Sequence, residues 1–383
     1  MSNKIKLLAF YYPQFHAIPE NDKWWGKGFT DWVNVKAAKQ YFEGHNQPRV
    51  PLDDNYYDLS KIETIQWQIE QAKKYGISGF CHYHYWFDGV QMLETPTNIF
   101  LDSKNIDFPF CLTWANETWS KRWDGQNHYI LQKQTHEPTE EKWLQHFEYL
   151  IKAWTDKRAI KIDNKPVFII YRPHYIERVG EMLEYWNRKA QEHGLDGIYF
   201  IAMKQYPFPE PSDYLKHFDA VIHFQPFEAI YSLNIEKSFI SKALTATYNH
   251  IIPGKLQKPV SVQLFNFKKL FSKPKHFDYD TIWEQILINS MKEYDLTTYP
   301  GAFIDWDNTA RYKNRSTVFD NANPTRFEHW LTKLAKAVQE KHQEPLIFIN
   351  AWNEWAEGTY LEPDEKYKYG YLDAISNTIN NVS

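Results

Sequence analysis

Residues 62–84 read IETIQWQIEQAKKYGISGFCHYH, and the change of period inside this stretch decides the fold. Ile62, Ile65, Ile69 and Ala72 recur at helical spacing and stop at Gly76; residues 77–84 then form a short apolar run of strand type. The same alternation recurs along the whole chain. Strand-like runs occupy residues 5–11, 77–84, 108–114, 166–171, 198–203, 220–224, 302–306 and 346–351. Helical spacing fills the intervals. Trp143, Phe147, Leu150 and Trp154 mark one helix, and Val179, Met182, Leu183, Trp186 and Ala190 mark another that stops at Gly194. Asn323 and Pro324 read as an N-cap and first-turn pair ahead of Phe327, Leu331, Leu334 and Val338, and Tyr371, Leu372, Ile375 and Ile379 mark the last helix.

Eight strand and helix units without repeated sequence specify an α/β protein built as a (β/α)8 TIM barrel in preference to a doubly wound sheet. Residues 259–265 are a further apolar run that either adds a ninth strand or displaces one of the eight. No Pro/Gly/Ser linker or block of charge divides the 383 residues, so 1–383 read as a single domain. Two connections exceed plain turns: residues 13–58 and 115–138. Both leave C-terminal strand ends, the face on which barrels build their sites, and loops of this length usually serve function.

Composition narrows the partners. With 44 basic and 48 acidic residues and a net charge of -4, the chain has no positive surplus to follow a phosphate backbone, and nucleic acid is disfavoured. Its 25 Phe, 26 Tyr and 16 Trp make up 17% of the sequence, yet mean hydropathy is only -0.64, because Tyr and Trp carry polar tips and line wet sites as readily as cores. Cys81 and Cys111 lie in apolar runs and read as buried reduced thiols, not as a disulfide or a zinc site. Residues 7–12 are too short for a signal-peptide core, and no run approaches the ~20 residues of a membrane span, so a cytoplasmic protein is expected. A glycine-rich phosphate loop, a Gly-x-Ser-x-Gly elbow and Cys-x-x-Cys are all missing. Dehydrogenase, P-loop and serine-hydrolase readings have no basis, and no cofactor is called for.

Four clusters carry candidate chemistry. Residues 349–359, INAWNEWAEGT, follow the eighth strand and place Glu354 and Glu357 three apart among Trp rings. On a helical turn that spacing puts both carboxyl groups on one face, and apolar surroundings raise the pKa of the less solvated one. One proton donor and one anion are what glycosidic cleavage requires; the plain alternative is a solvated first turn rich in acids. Residues 114–125, WANETWSKRWDG, follow the third strand. Indole rings stack on the CH face of a sugar while Asn, Glu and Arg meet its hydroxyl rim, which suits Trp114, Asn116 and Glu117 to a carbohydrate cleft; Trp123 fits a loop mini-core equally well. His82 and His84 share a strand face, but no third ligand stands at a metal spacing, so no metal is assigned. Asp305 and Asp307 with Arg311 end the seventh strand in an Asp-x-Asp pattern of the kind that holds a cation and sugar nucleotide in some transferases. That pattern is weak, since Asp278-Tyr279-Asp280 matches it and reads as a helix cap. Residues 268–275 hold four Lys and read as a solvated loop, with peripheral contact to a membrane surface or lipid-linked glycan as the minor alternative.

Residues 8–16 (LAFYYPQFH), 24–32 (WWGKGFTDW), 80–87, 114–125, 306–309 and 350–364, in that order, resemble the WbsX family of bacterial polysaccharide-biosynthesis proteins, often described as glycosyltransferases, with a domain similar to glycoside hydrolase family 99. The resemblance runs from residue 5 to about 371 and implies a (β/α)8 barrel. It also implies a mechanism. Glu354 would help deprotonate the sugar 2-hydroxyl, whose oxygen displaces the leaving group through a 1,2-anhydro sugar, and Glu357 would act as general acid and then base, with retention of configuration. Position 356 is Ala where those hydrolases tend to have His. The matched motifs, with the Asp-x-Asp segment, give a candidate sugar-binding set of Tyr11, Tyr12, His84, Tyr85, Trp86, Trp114, Asn116, Glu117, Trp119, Arg122, Trp123, Asp305, Trp306, Asp307, Arg311, Asn350, Trp352 and Asn353. On this reading the ring surplus lines a cleft, with Trp114 and Trp352 touching glycan.

The expected function is therefore glycosidic-bond chemistry on a surface polysaccharide of O-antigen or capsule type. The alternatives are a lipopolysaccharide glycosyltransferase using an activated donor and a non-catalytic polysaccharide-binding protein. Sugar, linkage, acceptor and oligomeric state are not legible in the sequence.

Overall fold

The computed structural model describes residues 4–121, 126–204, 213–233 and 273–382. Eight parallel strands form its centre: β1 (Lys6–Tyr11), β2 (Gly79–Phe87), β3 (Phe110–Trp114), β4 (Lys165–Ile170), β5 (Tyr199–Lys204), β6 (Ala220–His223), β7 (Thr297–Phe303) and β8 (Leu346–Asn350). Each pairs with its sequence neighbour, and β8 pairs with β1, which closes the barrel. The principal described helices are α1 (Ile62–Tyr75), α2 (Thr95–Asp102), α3 (Glu140–Trp154), α4 (Val179–Glu192), α5 (Phe227–Ser232), α6 (Tyr279–Ser290) and α7 (Pro324–Lys341) between strands, and α8 (Gly370–Val382) after β8. The fold is a (β/α)8 barrel.

Local signals explain the boundaries. Gly76 ends α1 in the left-handed region at φ 91, and the Asn323 side chain accepts from Arg326 N at the start of α7. Asp278 caps α6 through Thr281 N, as its Asp-x-Asp context suggested. The seventh strand departs from expectation. It begins at Thr297, five residues ahead of the apolar run, because Pro300 and Gly301 mask it: proline normally argues against a central strand. Here Gly301 is needed, since a Cβ would collide with the His223 carbonyl of β6. The apolar run at 259–265 and most of the Lys-rich stretch at 268–275 lie outside the described residues.

Strand alternation sorts the core into two layers. Leu8, Phe10, Cys81, Cys111, Ile169, Ile201, Ile222 and Phe348 fill the barrel interior. Their neighbours Leu7, Phe80, Leu112, Phe168, Ile170 and Ile349 face outward and pack under the helices with Trp154, Trp186 and Trp283. Cys81 and Cys111 are buried free thiols on paired strands. No helix among the described residues is long and apolar enough to cross a membrane.

Candidate active site

The connection at residues 13–58 wraps over the C-terminal strand ends with helices Pro19–Trp25 and Trp32–Ala37, and the one at 115–138 contributes a hairpin of Trp119–Lys121 and Gln126–Gln132. Between them opens a hollow of about 390 Å³ walled by Tyr12, Tyr83, Tyr85, Trp119, Tyr171 and Trp306, with Glu354, Glu357, Arg311, Glu117 and Arg172 among its polar groups. A smaller hollow of about 220 Å³ adjoins it under Trp24 and Trp25 and shares Gln14, Glu117, Trp119 and Glu357. A larger one, of about 660 Å³, lies at the opposite end of the barrel against residues such as Ile5, Lys6 and Leu346. In barrels that end serves stability, and the carboxyl pair is not there.

Both glutamates sit on a tight hairpin beyond β8. Asn353–Glu354 pairs antiparallel with Thr359–Tyr360, and Trp355–Glu357 forms a single 3-10 turn between them. An α-helical turn was expected; a 3-10 turn also brings residues three apart to one side. Gly358 closes it at φ 66, where an L side chain is strained and a Cβ would press on Asp307. The side chain of Asn353 fixes this hairpin to the end of β1, since it accepts from Tyr12 N at 2.7 Å and donates to Tyr12 O at 2.9 Å. Below the turn, buried Glu362 accepts from Trp355 Nε1 at 2.6 Å, Tyr57 OH at 2.7 Å and Gln68 Nε2 at 2.7 Å.

Arg311, on the short helix Thr309–Tyr312, joins the two glutamates. Its Nη1 donates to Glu357 Oε1 at 2.6 Å; its Nη2 lies 2.8 Å from Glu354 Oε1, donates to Tyr12 OH at 2.8 Å, and also pairs with Asp31. Three carboxyl groups thus share one guanidinium. Burial raises Glu354 well above the ordinary carboxylate range; Arg311 pulls it down, and Glu357 and Asp31 push it further up. Burial raises Glu357 too, again against Arg311. The physical meaning is a site that holds on to a proton.

The structure separates the expected residues into two groups. Tyr12, Tyr85, Glu117, Trp119, Trp306, Arg311, Asn350, Glu354 and Glu357 line the 390 Å³ hollow. Tyr11, His84, Trp86, Trp114 and Trp352 do not. They point outward from the barrel: Tyr11 donates to Gln68, His84 meets His146 at 2.9 Å, Trp86 stacks on His146, Trp114 donates to the Trp86 carbonyl, and Trp352 packs on Phe80. Trp114 is 3% exposed and Trp352 0%, so both belong to the core and not to a sugar platform. The reason is alternation: on β2, Tyr83 and Tyr85 face the hollow while His82, His84 and Trp86 face the helices. Burial holds His84 neutral, lowering it to about 3.

Asn116 and Asn353 are buried clamps. Asn116 grips the peptide of Arg172 from both sides, accepting from its N–H at 2.7 Å and donating to its carbonyl at 2.9 Å. Asp305 and Asp307 turn away from the hollow. Arg49 bonds Asp305 at 2.8 Å, and Asp307 accepts from Gln47 and Thr309 and meets His45 Nε2 at 2.8 Å. Burial alone would raise Asp307, but His45 and Arg49 outweigh it and bring it to about 2. Arg122 and Trp123 lie outside the described residues. Sequence reasoning passed over Gln14, Asp31, Tyr83, Tyr171 and Arg172. Counting the period of two along β2 and β4 would have found the two tyrosines; Gln14 and Asp31 lie inside the family-like segments 8–16 and 24–32 without being singled out there, and nothing local marks Arg172.

Residues 7–375 match the family described as Glycosyltransferase WbsX. The chain belongs to that family. This WbsX member is 34% identical over 378 residues to the uncharacterized protein WxcX of Xanthomonas campestris pv. campestris strain B100, an alignment covering 97% of this chain and 49% of the relative. It therefore spans about half the length of the curated relatives it matches. Among solved structures, the WbsX barrel is similar to a glycoside hydrolase-like protein at a TM-score of 0.59 and 13% identity, covering 98% of this chain and 94% of that one. It is also similar to the GH99 endo-alpha-mannosidase of Bacteroides thetaiotaomicron, at a TM-score of 0.56 and 13% identity over 98% and 97% of the two chains. At such identity the likeness is one of fold.

Proposed function

We propose that this chain is a retaining carbohydrate-active enzyme that breaks and remakes glycosidic bonds of a bacterial surface polysaccharide, with Glu354 as the base toward the sugar 2-hydroxyl and Glu357 as the general acid and then base. One observation carries the reading: two carboxyl groups bridged by a single guanidinium in the wall of an aromatic hollow at the C-terminal strand ends. With Asp31 as a third carboxyl on the same cation and burial raising both glutamates, the pair holds a proton more tightly than free carboxyl groups do, so one member can donate while the other accepts.

In the first step Glu354 takes the proton of the sugar 2-hydroxyl, O2 bonds to C1, and the bond from C1 to the leaving oxygen breaks as Glu357 gives that oxygen its proton. In the second step Glu357 removes a proton from the incoming hydroxyl. The new oxygen bonds to C1, the bond from O2 to C1 opens, and Glu354 returns the proton to O2. Two displacements at C1 leave its configuration unchanged. Arg311 touches both carboxyl groups throughout and steadies whichever is ionised.

The family's description favours a sugar hydroxyl over water as the incoming group. The same two residues serve either acceptor. A donor bound through an Asp305–Asp307 cation site has less support, since Arg49, His45 and Gln47 occupy those carboxylates. Incubation with a glycan panel and mass-spectrometric product detection tests the reading. Glu357→Gln should lower turnover by about 10²- to 10⁴-fold with an unchanged fold; near-normal turnover would sink it. Equal glycan binding by wild type and a Glu354→Gln/Glu357→Gln double variant, with no product from either, would point to a binding protein instead.

A further inference from the structure

Glu117 stands at the junction of the two hollows, and Arg172 lines the larger one beside it. Their contact is single: Arg172 Nε donates to Glu117 Oε1 at 3.0 Å, and no second bond joins them. Oε2 of Glu117 and the two terminal nitrogens of Arg172 have no partner among the described residues. The pair is nonetheless rigid. Asn116 clamps the Arg172 peptide on both sides, and the Tyr171 ring lies 5.2 Å from the guanidinium carbon. An acceptor and a donor fork therefore stand side by side, one hydrogen-bond length apart, already oriented before any ligand arrives.

The charges around them constrain what can bind. The lining of the larger hollow carries two guanidinium groups, Arg172 and Arg311, against three carboxyl groups, Glu117, Glu354 and Glu357, and Asp31 adds a fourth behind Arg311. Neither cation is left over for an anion. A carboxylate or phosphate on the ligand would set its charge beside Glu117 or the glutamate pair and be repelled there; neutral hydroxyl groups face neither penalty.

We propose that Glu117 and Arg172 form a specificity element for an uncharged pyranose unit. Glu117 Oε2 accepts from one ring hydroxyl, and the Arg172 terminal nitrogens donate to the hydroxyl next to it. This rests on the reading of the hollow as a glycan site. It adds that the unit at the junction is a neutral sugar with a vicinal diol, and it assigns Arg172 a contact that no sequence motif marked.

The test uses isothermal titration calorimetry with the full chain and three sets of probes: neutral methyl pyranosides and short oligosaccharides, their uronic-acid counterparts, and monodeoxy forms of the best neutral binder. Glu117→Gln and Arg172→Lys, each checked for fold by near-UV circular dichroism, should weaken the best neutral ligand about tenfold, the scale of one charge-assisted hydrogen bond. Two adjacent monodeoxy forms should bind the wild type that much more weakly, and Glu117→Gln should cause no further loss with one of them. Tighter binding of a uronic acid than of its neutral counterpart overturns the proposal. So do undiminished affinities in both variants, or wild-type protein that binds none of the saccharides. If Glu357→Gln turns over normally while Glu117→Gln and Arg172→Lys lose affinity as stated, the acid and base assignment fails and the diol grip stands.

Discussion

Arg311 is the residue on which the site's charge depends. Its removal leaves Asp31, Glu354 and Glu357 buried together without a cation, so Arg311→Met should destabilise the protein by about 3–5 kcal/mol at pH 8. Because Arg311 holds both glutamates lower than burial alone would, its loss moves them up and they take protons more readily in the folded state. The stability gap to wild type should therefore shrink as pH falls from 8 to 5; denaturant melts at several pH values measure it, and a constant gap would contradict the account. Glu362 gives a second titration. Burial raises it from 4.5 to about 7, against the hydrogen bonds from Trp355, Tyr57 and Gln68. A carboxyl with a raised folded pKa favours folding below its unfolded pKa and loses that contribution as pH climbs through the folded one. Glu362→Gln should thus gain on wild type between pH 4.5 and 7, by roughly 3 kcal/mol in all. The two catalytic candidates were legible because their spacing and flanking rings are local signals; Asp31 was not, because only folding brings it to Arg311.

The hairpin at 353–360 is the element that aims the carboxyl groups. Gly358 holds a left-handed conformation against Asp307, so Gly358→Ala meets backbone strain of about 1–2 kcal/mol and a collision at once. Relief requires Glu357 or the Asp307 segment to move. We expect turnover to fall at least tenfold while thermal denaturation shifts by only a few degrees; unchanged turnover would mean the turn tolerates a different shape. Helices with caps and strands with plain apolar runs were readable residue by residue. β7 was misplaced because proline and glycine sit in it for a reason found on β6, namely the close approach of the His223 carbonyl. Alternation along β2 was equally available and decides which of its aromatic residues face the hollow: Tyr83 and Tyr85 instead of His84 and Trp86.

At the scale of the molecule, the aromatic surplus divides between two tasks. Trp154, Trp186, Trp283, Trp352 and Trp355 are fully buried, whereas Trp24, Trp25 and Trp119 border the smaller hollow. Trp114→Ala should accordingly lower stability by about 3–5 kcal/mol, seen in urea denaturation, and leave the affinity of the folded fraction for glycan unchanged; the opposite pattern would return that ring to the cleft. The barrel was legible from eight alternations of period, which survive any error at single residues. Long-range pairings were not, and these build the site: Tyr12 with Asn353, Arg311 with Tyr12, Arg49 with Asp305. Their partners stand 341, 299 and 256 residues apart. During synthesis the first strand and the connection at residues 13–58 emerge early and must wait for the last hairpin, and such non-local closure is slow. The hollow is therefore completed last: until the hairpin at 353–360 docks on the end of β1, Arg311 has no glutamate pair to bridge and the aromatic wall stands without its carboxyl groups.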